Sequence, residues 1–105
     1  MTSLDGDVTF DLVVTTAPRR QQMSLFMDVH NIEGGVSVSD VAEAHRKDLA
    51  TQDKYGVSYL RYWVDEKAGK IFCLVEAATA DDARAVHHEA HGLVADAIYP
   101  VSEHS

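Results

Sequence analysis

The sequence predicts a single α+β domain whose elements follow the order β-α-β-β-α-β. Three observations lead to this prediction: strand-like segments of apolar and β-branched residues, two amphipathic segments that begin with capping residues, and a polar turn between two strands. The chain has 105 residues, of which 46% are hydrophobic, enough for one core. We expect a four-stranded antiparallel sheet with two helices on one face.

The first strand and the first helix occupy the chain from residue 23 to Gly56. Residues 24–30 are apolar with two polar insertions, which is typical of a strand, and a loop with two glycines follows. Ser39 is the predicted N-cap of a helix that runs to about Tyr55. Gly56 can adopt the left-handed conformation that ends a helix.

The second half of the domain begins with a hairpin. Residues 57–64 and 71–77 read as two strands joined by a polar turn. Thr79 caps a second predicted helix, and residues 97–101 form a last short strand. Pro100 places that strand at an edge of the sheet. The complete order is that of a ferredoxin-like fold.

The domain boundaries follow from this assignment. Residues 1–22 are a predicted N-terminal extension, which is either an added edge strand or disordered. Residues 23–101 form the ferredoxin-like domain, and residues 102–105 are a polar tail.

The predicted strand at residues 57–64 carries Tyr59, Tyr62 and Trp63. A sheet with helices on one face leaves its other face bare, and these aromatic side chains are more apolar surface than a monomer usually exposes. We therefore predict a homodimer that covers this face.

The charge and cysteine content exclude several classes of protein. The net charge is -8 with only nine Lys and Arg, which argues against a nucleic-acid partner and an anionic membrane surface. We find neither an apolar run that could span a membrane nor a secretory signal. Cys73 is the single cysteine, which fits a reducing compartment, so we predict a cytoplasmic protein.

Three of the six histidines lie between residues 87 and 91. At about 100° per residue they share one side of the second helix, with His87 half-buried, His91 at the rim and His88 facing solvent. His87 and His91 are spaced i, i+4, so both can bind one metal ion. The alternative is an amphipathic helix with a polar outer side.

His45 lies at the predicted centre of the apolar face of the first helix, with Val38, Val41 and Leu49 around it. Asp48 is close to it on the same face. Two interpretations remain open. The pair forms a hydrogen bond inside the core, or His45 is a metal ligand or a general base whose ring Asp48 orients.

Asp28 and His30 are two residues apart in the first strand and therefore point to the same face. Glu76 lies on the neighbouring strand, and together the three could form a polar patch. Whether that patch faces the helices depends on the register, which the sequence does not fix. Cys73 is expected to be a small buried hydrophobic residue.

Several segments resemble a family of small bacterial proteins of unknown function, which has a ferredoxin-like fold and nickel-binding, dimeric members. These segments are residues 26–30, 42–48, 62–63, 72–77 and 86–92. The resemblance covers about residues 23–101 and implies a dimer that binds nickel, with a role in metal sequestration or response. The family's motif histidines correspond to His30, His45, His87 and His91.

The predicted function is therefore binding of a divalent metal ion, Ni(II) first, with Zn(II) or Cu(II) as alternatives. Asp28, Asp48, Glu76 and His88 are candidate additional ligands or orienting residues. One alternative is a dimeric small-molecule-binding protein or enzyme with a polar pocket at His45 and Asp48, although no group that would bind an electrophile is visible. Another is an interaction module whose open sheet binds a second protein.

Overall fold

The computed structural model describes residues 23–105, and the predicted order of elements is present there. The strands are β1 (Ser24–Asn31), β2 (Ser58–Asp65), β3 (Lys70–Ala77) and β4 (Ala97–Val101), and the helices are α1 (Val38–Thr51) and α2 (Ala80–Ala90). A short 3-10 helix, Gln52–Tyr55, follows α1. The predicted extension at residues 1–22 lies outside the described part of the chain.

The four strands form one sheet in the order β2-β3-β1-β4, and all three neighbouring pairs are antiparallel. Helices α1 and α2 contact each other, and they pack on the sheet through β2 and β3. This arrangement confirms the α+β, ferredoxin-like prediction. Between residues 23 and 105 we find no helix long and apolar enough to cross a membrane.

Helix α1 begins two residues earlier than predicted, because Ser37 and not Ser39 is its N-cap. Ser37 is extended (φ -97, ψ 147), and its Oγ accepts a hydrogen bond from the backbone N–H of Asp40 at 3.1 Å. The Glu66 carboxylate accepts from the backbone N–H of Val38 at 2.8 Å. Two otherwise unpaired donors of the first turn are thus satisfied.

Helix α2 begins at the predicted cap. The Oγ1 atom of Thr79 accepts a hydrogen bond from the N–H of Asp82 at 3.1 Å. The helix ends at Ala90, and the following Gly92 adopts a left-handed conformation (φ 80) that turns the chain away. His91 is therefore the residue after the last helical turn, at the mouth of the space between α1 and α2.

The register places Asp28 and His30 on the helix side of the sheet. Asp28 lies opposite Cys73, and His30 lies opposite Ile71, which is a core residue. Directly opposed residues of an antiparallel pair share one face. Glu76 is three positions from Cys73, so it points to the other face, where it is exposed. The predicted patch of Asp28, His30 and Glu76 is therefore wrong in its third member.

The aromatic residues of β2 are divided between the two faces. A β-bulge between Tyr59 and Arg61 breaks the simple alternation of the strand. Tyr59 is buried in the core and Tyr62 packs against it, both beneath the helices. Trp63 lies on the opposite face and is 48% exposed. The prediction that all three aromatic residues lie on the open face is wrong for the two tyrosines.

Candidate metal centre

Four polar side chains are buried between the sheet and the helices. Asp28 and His30 come from β1, Asp48 from α1 and His87 from α2, and none is more than 2% exposed. Acidic residues are seldom fully buried unless they are paired. His91 joins this group from the end of α2. We call these five residues the buried cluster.

His87 is the centre of the buried cluster. Its Nδ1 lies 2.9 Å from Oδ1 of Asp48, and its Nε2 lies 3.0 Å from Oδ2 of Asp28. Burial alone would lower the pKa of His87, but its close contacts with the carboxylates of Asp28 and Asp48 raise that pKa to about 9. The ring is therefore an imidazolium at neutral pH. Its contact with Asp28 is an ion pair, because the Nε2–H is not aligned for a hydrogen bond.

Asp48 connects His87 to His91. Nε2 of His91 lies 2.9 Å from the same Oδ1 atom of Asp48. The backbone N–H of Leu93 donates to Nδ1 of His91 at 3.1 Å, so Nδ1 carries no hydrogen and Nε2–H donates to Asp48. Burial alone would raise the pKa of Asp48, but the hydrogen bonds from the two histidines lower it.

Both carboxylate oxygens of Asp28 are in contact with neighbouring side chains. The Tyr59 hydroxyl donates to its Oδ2 atom at 2.9 Å, and Nε2 of His30 lies 3.3 Å from its Oδ1 atom. Burial would raise the pKa of Asp28, but the contacts with His30 and His87 hold it well below its usual range. Burial and the carboxylate of Asp28 raise the pKa of Tyr59, which keeps its hydroxyl protonated.

Three buried atoms of the cluster have no hydrogen-bond partner within the described residues. They are Asp28 Oδ1, His30 Nδ1 and His87 Nε2. An unsatisfied buried polar atom costs about 1–3 kcal/mol. All three atoms belong to residue types that bind metal ions, and their residues are neighbours. These residues can therefore supply ligand atoms to a cation.

Two groups of side chains could each hold one ion. The inner group is Asp28, His30, Cys73 and His87, and the outer group is Asp48, His87 and His91. Within each group the ligand atoms lie within 4.8 Å of one another. Two ligands on opposite sides of an ion, with bonds of about 2.0–2.3 Å, are about 4–4.6 Å apart. Both groups can therefore close on an ion with small adjustments.

A cavity of about 90 Å³ lies beside the cluster. Four histidines line it, namely His30, His45, His87 and His91. Its lining also includes Leu93, which is 40% exposed, so the cavity reaches the surface of the molecule. Ions and water thus have a route to the cluster.

Residues 26–101 match the protein family described as nickel responsive protein SCO4226-like. The chain belongs to this family. It is also similar to SCO4226 from Streptomyces coelicolor A3(2), for which a crystal structure is known. The two sequences are 34% identical, and the two structures superpose with a TM-score of 0.72. The similarity covers 78% of this chain and 100% of that chain. No curated protein matches. The predicted resemblance to a small bacterial family is confirmed.

His45 is less central than the sequence predicted. The buried residues of α1 are Val41 and Asp48, whereas Val38 and Leu49 are 47% and 45% exposed. The inward face of α1 is therefore rotated by about 50° from His45. The predicted centre is wrong because α1 has few apolar residues, so its contacts with β2 and α2 decide which side is buried.

The ring of His45 lies at the side of the cavity. Its centroid is 4.7 Å from that of Tyr62. Burial lowers the pKa of His45, although attraction to Asp48 opposes the shift. Within residues 23–105, the hydrogen bonds of Asp48 go to His87 and His91, and none joins it to His45. Of the four histidines that the sequence predicted as ligands, His45 is the one outside the buried cluster.

Two other candidate ligands lie away from the cluster. His88 is exposed on α2, as its helical position predicted, and Glu76 is exposed on the open face of the sheet. Cys73, in contrast, was expected to be an ordinary core residue, and the structure places it among candidate ligands. The sequence did indicate that Cys73 faces the helices. Every second residue of this part of β3 is small or apolar, which is typical of the side of a strand that packs in the core; these residues are Ile71, Cys73, Val75 and Ala77.

Proposed function

We propose that this protein binds a divalent transition-metal ion, Ni(II) first, in the buried cluster. The observation that carries the proposal is a set of three buried nitrogen and oxygen atoms that have no hydrogen-bond partner within the described residues and that lie beside a cavity. The family's description as nickel responsive supports the choice of metal. Imidazole and carboxylate ligands suit Ni(II), and they also suit Zn(II) and Cu(II) as competitors.

The charge of the cluster favours a cation. Two carboxylates and one imidazolium leave a net negative charge in a buried position, and the whole chain has a net charge of -8. We propose His30 and His87 as ligands, with His91 at the edge of the site and His45 on the access route. Asp28 and Asp48 supply negative charge, and Asp48 orients the imidazole ring of His87. The function would be sequestration of the metal or response to it.

The alternative of an enzyme or small-molecule carrier has less support. Pockets for small organic ligands usually measure about 300–1,000 Å³, whereas this cavity is about 90 Å³. The alternative also needs an acid–base pair of His45 and Asp48, and Asp48 instead pairs with His87 and His91.

We also propose a homodimer that covers the open face of the sheet. Trp63 and Tyr99 lie on that face and are 48% and 55% exposed. Light scattering of the wild type should give the mass of two chains, and Trp63→Asp should give the mass of one. A wild type that is monomeric at high concentration would exclude this part of the proposal.

Calorimetric titration with Ni(II) tests the metal site. We expect saturable binding by the wild type and at least a 10–100-fold loss of affinity for His87→Ala/His91→Ala. His88→Ala is the matched control, because His88 is an exposed histidine on the same helix. Binding by the double variant with wild-type affinity would refute a site in the buried cluster.

A further inference from the structure

We infer that the ion is held by the inner group and that the thiolate of Cys73 is one of its ligands. The other ligands are His30, His87 and Asp28. The inference rests on the metal-binding function proposed above and specifies where the ion lies and which atoms hold it.

Cys73 occupies a polar position inside the core. It lies at the middle of β3, directly opposite Asp28 on β1 and Tyr62 on β2. Its side chain is buried, with 7% exposure, and its sulfur is within 4.8 Å of ligand atoms of Asp28, His30 and His87. Cys73 belongs to the apolar core, yet one carboxylate and two imidazoles also lie close to its sulfur.

The unpartnered atoms distinguish the inner group from the outer group. Asp28 Oδ1, His30 Nδ1 and His87 Nε2 all belong to residues of the inner group. In the outer group, both nitrogens of His91 and the Nδ1 atom of His87 already have hydrogen-bond partners. An ion in the inner group would displace the ion pair between His87 Nε2 and Asp28 but would break no hydrogen bond of these three atoms. An ion in the outer group would have to break existing hydrogen bonds.

The orientation of His87 also favours the inner group. Its Nδ1–H donates to Asp48, which leaves Nε2 directed toward Asp28 and the other inner residues. A carboxylate that holds the far side of a metal-bound imidazole is a common arrangement in metal sites. In this assignment Asp48 and His91 position the ring of His87 and do not contact the ion.

The inner donor set consists of one sulfur, two imidazole nitrogens and one carboxylate oxygen. Thiolate and imidazole together select transition metals and Zn(II) over Mg²⁺ and Ca²⁺, which prefer oxygen ligands. Binding replaces the thiol proton of Cys73 and the Nε2 proton of His87, and both protons leave to solvent. A thiol that coordinates a metal ion is deprotonated outright, so no oxidant or reductant is needed.

The single cysteine makes the test specific. Absorption titrations of the full chain with Co(II) and with Ni(II), in a non-thiol reductant, should produce a thiolate-to-metal charge-transfer band in the near ultraviolet. Because Cys73 is the chain's single cysteine, such a band can arise from no other residue of the chain. The band should saturate at one ion per chain.

Cys73→Ser and Cys73→Ala are the test variants, and His88→Ala is the control. We expect both Cys73 variants to lack the band and to bind Ni(II) at least 10-fold more weakly, while the control keeps both properties. Circular dichroism of the metal-free variants checks that they fold. The band of the wild type is a readout that does not depend on any variant.

The outcomes separate this inference from the proposed function. Calorimetric binding by the wild type without a charge-transfer band, and with unchanged affinity in Cys73→Ser, would overturn the role of Cys73 and leave metal binding in place. A band that persists in Cys73→Ser would also overturn it. Failure of the wild type to bind any of the metals would remove both proposals.

Discussion

Raising the pH from 6.5 to 8.5 should destabilise the metal-free protein by about 2 kcal/mol, through His87 alone. The pKa of His87 rises from 6.5 to about 9 on folding, because Asp28 and Asp48 hold its imidazolium. A group whose pKa is raised on folding stabilises the folded state fully below its unfolded pKa. That stabilisation is lost as the pH rises through the folded pKa. The window of loss is therefore pH 6.5 to 9.

The magnitude follows from the two pKa values. Between them the folded state binds one more proton than the unfolded state, so the free energy of unfolding falls by up to about 1.36 kcal/mol per pH unit. The fall is less steep near each pKa, which gives about 2 kcal/mol over the two units. We stop at pH 8.5 because a cysteine in the unfolded chain titrates near that value, and burial raises the pKa of Cys73 in the folded state.

Urea unfolding with a chelator present, at pH 6.5, 7.5 and 8.5, measures the effect. For a slope of about 1–3 kcal/mol per molar urea, the midpoint should fall by on the order of 1 M across the range. His87→Gln is the control: it keeps a hydrogen-bond donor near Asp48 but cannot carry the charge. A wild-type midpoint that is constant over this range, or an equal fall in His87→Gln, would show that His87 is not a buried imidazolium.

Three further predictions concern single contacts. Asp48→Asn should weaken Ni(II) binding by about 10–100-fold in calorimetry, because the amide cannot orient the imidazoles as a carboxylate does, whereas His88→Ala should bind as the wild type. Tyr59→Phe should lower the free energy of unfolding by about 1–3 kcal/mol in urea titrations, since Asp28 Oδ2 loses the hydroxyl that donates to it. Ser37→Ala should cost about 1 kcal/mol through loss of the helix cap. Ser39→Ala should change stability by no more than about 0.5 kcal/mol, and equal effects of the two serine changes would contradict the cap assignment.

The fold could be predicted because each element carries its own local signal. The apolar pattern of the strands, the capping threonine of α2 and the polar turn between β2 and β3 are set by residues close together in the sequence. Errors occurred where distant residues decide the outcome. The N-cap of α1 is Ser37 and not the predicted Ser39. Glu66, in the turn after β2, also accepts a hydrogen bond from the backbone N–H of Val38 in the first helical turn.

The candidate site was predicted only in part, because it is assembled across elements. His87 and His91 were found from their spacing, which is a local property. The face that carries Asp28 and His30 depends on the register of β1 against β3, and one residue of slip would have reversed it. Cys73 was not recognised as a ligand for the same reason, since its contact with Asp28 exists only in that register.

The buried cluster stabilises the core less than apolar side chains in the same place would. Replacing a buried ion pair with apolar residues is often neutral or stabilising by about 1–4 kcal/mol, and the three unpartnered atoms of this cluster add to the cost. A core that served stability alone would have apolar side chains here. A bound ion would give those atoms partners, and at 100 times its Kd it would add about 2.7 kcal/mol to the stability of the folded state. The incomplete hydrogen bonding of Asp28, His30 and His87 therefore supports the proposal that metal binding and folding are thermodynamically coupled.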